Sequence, residues 1–262
     1  MKKQTFQLFA SCLILLSLIA GCDSDILTTS NPDKAVVNAV LFPGKPAQVS
    51  INHQYVYERG DTTFHQPLLN LTVTLTNQTD NQSETMQMAD SGIYVSSMLI
   101  QAEKSYRIDF DYAGNHIWAE TEIPSAVEGF SADAAELTHT ERFSSDTVRY
   151  VNYRWDNSED VYHLFTIEHI SLTYPSIYGF EPDSHFITRN PTRDTTLQVN
   201  SRGFNYYGTH LMMLTKVNQE YVNLYYSTVS NSQYMSEPPT NIHNGFGIFT
   251  GMNPDTLRLE LK

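Results

Sequence analysis

The most specific chemistry in the chain lies between Ile19 and Cys22, at the end of an apolar run that follows two N-terminal lysines. A cationic start with about 13 apolar residues indicates a secretory signal, since a membrane-spanning helix needs about 20. Lipoprotein signal peptidase cuts before a lipid-bearing cysteine and requires small residues, here Ala20 and Gly21, in front of it. We therefore predict a signal peptide at residues 1–21, cleavage between Gly21 and Cys22, and lipidation of Cys22 that includes palmitate. A secretory signal with an incidental cysteine and an uncleaved N-terminal anchor are the alternatives.

The nine histidines raise the question of a metal or catalytic site. His163 and His169 alternate with Phe165 and Ile167 on one face of a predicted strand, and the chain has no His-Glu-x-x-His motif. We interpret both as core or rim histidines. A hydrolase site would instead gather at least two members of a small set of titratable residues in one cleft. That set is His163, His169, His210, Glu168 and Asp160.

Three carboxylates and an amide lie in the turn from Asp156 to Asp160. Calcium loops need a longer ligand series and a central glycine, so we predict a hairpin tip, with a cation site as the alternative. Gly245, Gly247 and Gly251 superficially match a dinucleotide fingerprint, but the residues between them predict a strand where that motif needs a helix. We therefore expect no cofactor, no metal and no catalytic residue.

Alternating apolar residues predict the strands that would position these groups. In the first half, strands are predicted at 35–42, 47–57, 69–76, 85–89, 93–99, 105–112 and 116–123. The last two flank a Gly-Asn turn that is typical of a hairpin, and Trp118 is expected to be buried. Short strands at regular spacing, without helical periodicity, predict an immunoglobulin- or transthyretin-like β-sandwich.

The strand alternation lapses between Pro124 and Arg142, and we place a domain boundary near Pro124 to Glu128. The predicted organisation is a lipidated flexible spacer at 22–34, a β-sandwich domain at 35–124 and a second β-rich domain at 125–262. In this second domain we predict one short helix at 218–231, capped by Asn218 and with Glu220 in its first turn. The fold class is mainly β. The further strands are predicted at 147–155, 161–173, 195–200, 209–217 and 257–261.

The charge of the chain limits its partners. Removal of residues 1–21 takes away two lysines and no acid, which changes the formal net charge from −13 to −15. Such a field repels nucleic acid and anionic membrane surfaces, so we expect contact with a membrane only through the lipid on Cys22. We interpret the aromatic-rich stretch at 174–194 as a loop whose aromatic side chains pack against the sheet. A platform for a glycan or another small molecule is the alternative.

The C-terminal stretch from Pro239 to Phe249 has the sequence PTNIHNGFGIF. It resembles the Pro-x-Asn-Ile-x-x-Gly-x-Gly-x-Phe signature of Bacteroidota-type outer-membrane lipoproteins, a domain-of-unknown-function family often encoded beside TonB-dependent receptors. The segments at 71–75, 90–94 and 104–108 are similar to strands of the sandwich in that family. The resemblance covers most of the mature chain, and the family has no assigned catalytic residues.

This resemblance implies a lipid-anchored protein of the outer membrane, either exposed at the cell surface or facing the periplasm, that associates with a TonB-dependent receptor. We expect a non-enzymatic accessory protein that binds a ligand or the receptor during nutrient uptake. The alternatives are a structural or adhesive surface lipoprotein and the hydrolase described above.

Overall fold

The computed structural model describes residues 33–54, 66–140, 147–171, 176–177, 184–229 and 239–262. Several sequence-based predictions lie outside these residues: the signal peptide, Cys22, most of the spacer, the strand end at 55–57 and much of the loop at 174–194. The stretch Lys34–Lys262 forms one compact unit.

Sixteen strands and one helix are formed by the described residues, which confirms the mainly β fold class with one short helix. The helix, α1, spans Gln219–Val229. The strands are β1 (Ala35–Leu41), β2 (Pro46–His53), β3 (Thr74–Asn77), β4 (Gln82–Thr85), β5 (Gln87–Asp90), β6 (Ile93–Leu99), β7 (Ser105–Tyr112), β8 (Asn115–Glu122), β9 (Glu128–Ala132), β10 (Glu136–Leu137), β11 (Tyr150–Asp156), β12 (Tyr162–His169), β13 (Phe186–Thr188), β14 (Thr196–Asn200), β15 (Gly208–Val217) and β16 (Phe246–Leu261).

The strands form one large sheet and two small ones. The large sheet has nine strands: eight follow the order β13-β12-β15-β16-β1-β2-β6-β5, and β10 pairs with β16. The small sheets have the orders β4-β3-β7-β8 and β14-β11-β9. One hydrophobic cluster joins Val37 and Val49 of the large sheet to Ile108 of the four-stranded sheet. A second cluster joins Val151 of the three-stranded sheet to Leu214 of the large sheet. Each small sheet therefore forms a two-layer sandwich with part of the large one.

The last strand, β16, runs from one sandwich into the other. Its residues 246–251 pair in parallel with β1, and its residues 252–261 pair antiparallel with β15. Phe249 accordingly lies in the first hydrophobic cluster, whereas Leu259 lies in the second. Residues 246–251 lie beyond the domain boundary predicted after residue 124, and they complete the sheet of the first sandwich. The boundary itself stays a prediction.

The signature stretch at 239–249 connects β8 to the start of β16 through hydrogen bonds and a ring stack. The Asn241 amide donates to the Phe249 carbonyl at 2.7 Å and accepts from the Phe249 N–H at 3.0 Å. Asn244 donates to the His116 carbonyl at 2.8 Å. The His243 ring stacks on Trp118 with centroids 3.6 Å apart. The polar residues of this signature thus have structural partners.

Three predictions differ from the structure. The strand predicted at 69–76 begins only at Thr74, because the Tyr94 hydroxyl donates to the Leu68 carbonyl and accepts from the Leu71 N–H in place of a strand partner. The strand predicted at 85–89 is divided between β4 and β5, which belong to different sheets. Trp118 is half-buried instead of buried, since its ring contacts the exposed His243 and lies 4.2 Å from Arg107.

Helix α1 begins after Asn218 as predicted, but the side-chain amide of Asn218 points back to β8. It donates to the Glu122 carbonyl at 2.7 Å and to Thr121 Oγ1 at 3.0 Å. Val222 of the helix packs against Leu164 of β12. Because alternate residues of a strand point to opposite faces, the helix covers the face of the large sheet that lies away from the second sandwich.

Gly247 allows β16 to approach β1. Its φ is +103°, and a β-carbon there would overlap the Val37 carbonyl oxygen. We expect Gly247→Ala to lower the free energy of unfolding by more than about 3 kcal/mol, because a strained backbone alone costs about 1–3 kcal/mol and the clash adds to it. Urea unfolding measures this loss.

Gly114→Ala is the matched control, since Gly114 has φ +77° with nothing within 4 Å of the added β-carbon. It reports the conformational cost without a clash. Equal losses in the two variants would contradict the close approach of β1 and β16.

Candidate functional site

The adjacent strands β12 and β15 carry polar residues at both ends of an otherwise apolar interior row. The four polar residues are all buried, and the face predicted for the two histidines of β12 is confirmed. Inside a core, such groups need charged or hydrogen-bonding partners. The cross-strand pairs are, in order, His163 with Lys216, Phe165 with Leu214, Ile167 with Met212, and His169 with His210.

Lys216, at one end of this row, lines a cleft of about 310 Å³ that we name the junction cleft. Its volume lies at the lower end of the range for small-molecule sites, which is about 300–1,000 Å³. The cleft lies where the chain passes from β8 into the second sandwich, with one proline and two valines in its walls. Its polar residues are Glu103, Glu122, Ser125, Glu159, Lys216 and Asn218.

Lys216 holds a buried positive charge in this cleft. Its side chain is 7% exposed, and Nζ donates to Ser125 Oγ at 2.7 Å and to Glu159 Oε2 at 3.0 Å. The hydrogen bond from Lys216 and its positive charge lower the pKa of Glu159 below the usual 4.5. The Glu159 carboxyl is therefore ionised at neutral pH.

This pairing determines the chemistry of Ser125. A serine becomes a nucleophile when a neighbouring base removes its proton. Ser125 accepts a hydrogen bond from an ammonium group, and its own hydroxyl faces the Glu159 carboxylate only at 3.4 Å. Because that carboxylate is already neutralised by Lys216, it is a weak base. The arrangement is suited to binding.

Hydrogen bonds fix the walls of the junction cleft. Thr121 Oγ1, at the end of β8, donates to Glu220 Oε1 at 2.9 Å and accepts from the Gly251 N–H of β16 at 3.0 Å. Asn253 Nδ2 donates to the Pro124 carbonyl at 2.9 Å. These bonds join β8, α1 and β16, so the cleft is held in shape without a ligand.

His163 lies beside Lys216 and is fully buried. Neither of its ring nitrogens makes a hydrogen bond of normal geometry, and the same holds for Trp155 Nε1 and the Tyr153 hydroxyl nearby in the second sandwich. Burial first, and then the charge of Lys216, lower the pKa of His163 to about 4. His163 is therefore neutral at pH 7.

The other end of the row holds an aromatic stack. The His169 and Tyr206 rings are nearly parallel, with centroids 4.5 Å apart, and the exposed His185 stacks on Tyr206 at 4.8 Å. His169 and His210 are 5.1 Å apart. Burial lowers the pKa of His210 to about 4, and the neighbouring His169 acts in the same direction. This stack was not expected from the sequence, because Tyr206 and His185 lie in irregular segments.

The hairpin tip predicted at 156–160 is wrong, because the acidic turn connects β11 of the three-stranded sheet to β12 of the large sheet, and these strands do not pair. Two of its acids have cationic partners. Glu159 pairs with Lys216, and Asp160 lies 3.2 Å from Arg193. In the described part of the chain, no three His, Cys, Asp or Glu side chains are placed to hold a metal ion. Of the set expected for a hydrolase, His169 and His210 lie together, but none of the five residues lines the junction cleft.

Lys216, Ser125 and Glu122 were missed by sequence reasoning. Lys216 had one signal, a lysine at the end of an otherwise apolar strand pattern. Ser125 lies 91 residues away from it, and only the fold brings the two together.

A model of the family described as "Domain of unknown function (DUF4249)" matches residues 23–258, which is most of the chain. The chain belongs to the DUF4249 family. The resemblance drawn from the sequence is thus confirmed as membership of a family of unknown function. No curated protein matches this DUF4249 chain. Within its described residues, no helix has the length and apolar character needed to span a membrane.

The Lys216–Glu159 pair gives a stability prediction for this DUF4249 chain. Removing the partner of a buried charge leaves that charge uncompensated, which lowers the free energy of unfolding. Replacing the buried charged residue itself by an apolar one often leaves the free energy of unfolding unchanged. We expect Glu159→Gln to lower the free energy of unfolding by about 1–3 kcal/mol, because it leaves the Lys216 ammonium without its counter-charge. Lys216→Met should change it by less than about 1 kcal/mol. Urea unfolding of both variants and of the double variant measures the coupling.

The pair also gives a pH dependence. Because the pKa of Glu159 is lower in the folded chain than its usual 4.5, the pair stabilises the fold above that pH and less as the pH falls below it. Lys216→Met should weaken this acid dependence. A greater loss of stability in Lys216→Met than in Glu159→Gln would contradict the argument.

His163→Leu tests the buried imidazole. The pKa of His163 falls from 6.5 to about 4 on folding, so between these values the unfolded chain binds a proton that the folded chain excludes, and stability declines with acidification. We expect the leucine variant to be as stable as the wild type at pH 7, since it removes two buried nitrogens that lack hydrogen bonds of normal geometry, and to lose less stability between pH 6.5 and 4. Thermal unfolding across this range measures the difference, and an unchanged pH profile would contradict it.

Proposed function

We propose that this DUF4249 protein is a lipid-anchored accessory protein of the bacterial outer membrane that binds a ligand or a TonB-dependent receptor and catalyses no reaction. One observation carries the proposal. The family match begins at Asp23, directly after Cys22, so the family body starts where cleavage would leave the lipidated cysteine. Residues 1–21 have the composition of a signal that is removed.

The geometry of the body supports binding. The junction cleft is held in shape by hydrogen bonds from β8, α1 and β16. Its serine lacks an activating base, and its lysine is charge-paired with Glu159. A rigid site with charged groups and no activated nucleophile is suited to holding a ligand or a side chain of a partner.

Replacement of Cys22 tests the anchor. We expect Cys22→Ser to abolish incorporation of labelled palmitate and to leave the signal peptide uncleaved, because the diacylglycerol is joined to the Cys22 thiol and the peptidase cuts only before a lipid-bearing cysteine. Cys12→Ser is the control, since Cys12 lies in the predicted signal and should not affect labelling. Palmitate labelling that persists in Cys22→Ser would refute the anchor.

Purification of the tagged wild-type protein from native outer membranes tests the partner. A TonB-dependent receptor should be recovered in about equal amount, identified by mass spectrometry. Mature protein that is lipidated but recovered without any receptor would overturn the receptor part of the proposal.

A further inference from the structure

The junction cleft has an unused hydrogen-bond donor at its buried end. An ammonium group has three N–H donors, and within the described residues Lys216 Nζ contacts two acceptors, Ser125 Oγ and Glu159 Oε2. The side chain lines the cleft and is 7% exposed. Buried donors are almost always partnered. An acceptor oxygen of a bound molecule would provide a partner for the third N–H of Lys216.

The rim of the cleft has the opposite charge. Glu103 and Glu122 line it and are exposed, and no described cation forms a salt bridge with either. The third carboxylate, Glu159, is occupied by Lys216. The cleft therefore offers one donor at its buried end and two unpaired carboxylates at its rim.

This charge pattern selects the ligand. Among the described residues, no group of three or more His, Cys, Asp or Glu side chains can hold a metal ion, so the two rim carboxylates favour an organic molecule with two cationic groups. A volume of about 310 Å³ admits only a compact one. Complementarity requires an acceptor oxygen for Lys216 and ammonium groups for Glu103 and Glu122. Basic amino acids carry one carboxylate and two cationic groups in a compact frame.

We infer that the junction cleft binds a basic amino acid, free or at the amino terminus of a peptide, with an oxygen on Lys216 Nζ and its cationic groups toward Glu103 and Glu122. The inference rests on the proposed function in one respect, namely that the cleft binds and does not catalyse.

Calorimetric titration of the full-length lipoprotein in detergent with L-lysine tests the inference. We expect saturable 1:1 binding, weaker by at least about tenfold in Glu122→Gln and in Lys216→Met. Glu136→Gln and Lys262→Met are the matched controls, since these residues form an exposed pair away from the cleft, and they should bind as the wild type does. Because Glu122 is exposed, its variant keeps the test valid even if Lys216→Met fails to fold.

Three further ligands test which groups of the bound molecule the cleft recognises. Cadaverine, which lacks the carboxylate, should bind at least about tenfold more weakly than L-lysine, and L-glutamate should not bind. L-lysyl-L-alanine distinguishes the two sources: if it binds as well as L-lysine, a peptide amino terminus fits the cleft, and if it does not, the free amino acid is the ligand.

Two outcomes would overturn the inference. One is the absence of saturable heat up to about 10 mM L-lysine. The other is equal binding of cadaverine and L-lysine, which would show that Lys216 meets no ligand oxygen. Recovery of a receptor in the purification described above leaves the proposed function standing in either case, so the two failures are distinguishable.

Discussion

The pairing of β16 with both β1 and β15 is the interaction on which the rest of the structure depends. Its first residues complete the sheet of the first sandwich, and its remaining residues form the longest ladder of the second. Gly247 allows β16 to approach β1. Asn241 forms hydrogen bonds with the N–H and the carbonyl of Phe249, near the start of β16. The wall of the junction cleft follows from the same strand, since Gly251 and Asn253 hold Thr121 and Pro124 in place.

The two sandwiches use polar residues differently. In the first, polar side chains such as Asn241 satisfy backbone groups and close the edge of a sheet. In the second, the buried row on β12 and β15 ends in a charged pair at one side and in stacked histidines at the other. A buried charge requires a partner, and Lys216 finds it in a turn that precedes β12. Glu159 and Asp160 of that turn are therefore counter-charges to Lys216 and Arg193.

Local patterns predicted most strands of this fold, because period-two alternation depends only on which face of a strand is buried. The strands at 93–99 and 105–112 and the shared face of His163 and His169 followed from it, whereas the helix after Asn218 followed from helical spacing and its cap. The pairing of β1 with β16 could not be predicted, since it joins opposite ends of the body. The strand predicted at 69–76 was too long because a tyrosine hydroxyl supplied the backbone partner. The junction cleft was missed because its four charged residues come from four separate segments of the chain.

The distance along the chain between β1 and β16 has a consequence for folding. A contact between the first and last strands carries a high loop-closure cost and forms late, so the first sandwich stays open until the final strand arrives. Until then β1 presents an unpaired edge, which invites association with other chains. The unpaired edge of β1 therefore makes the incomplete chain more prone to aggregation than the complete one.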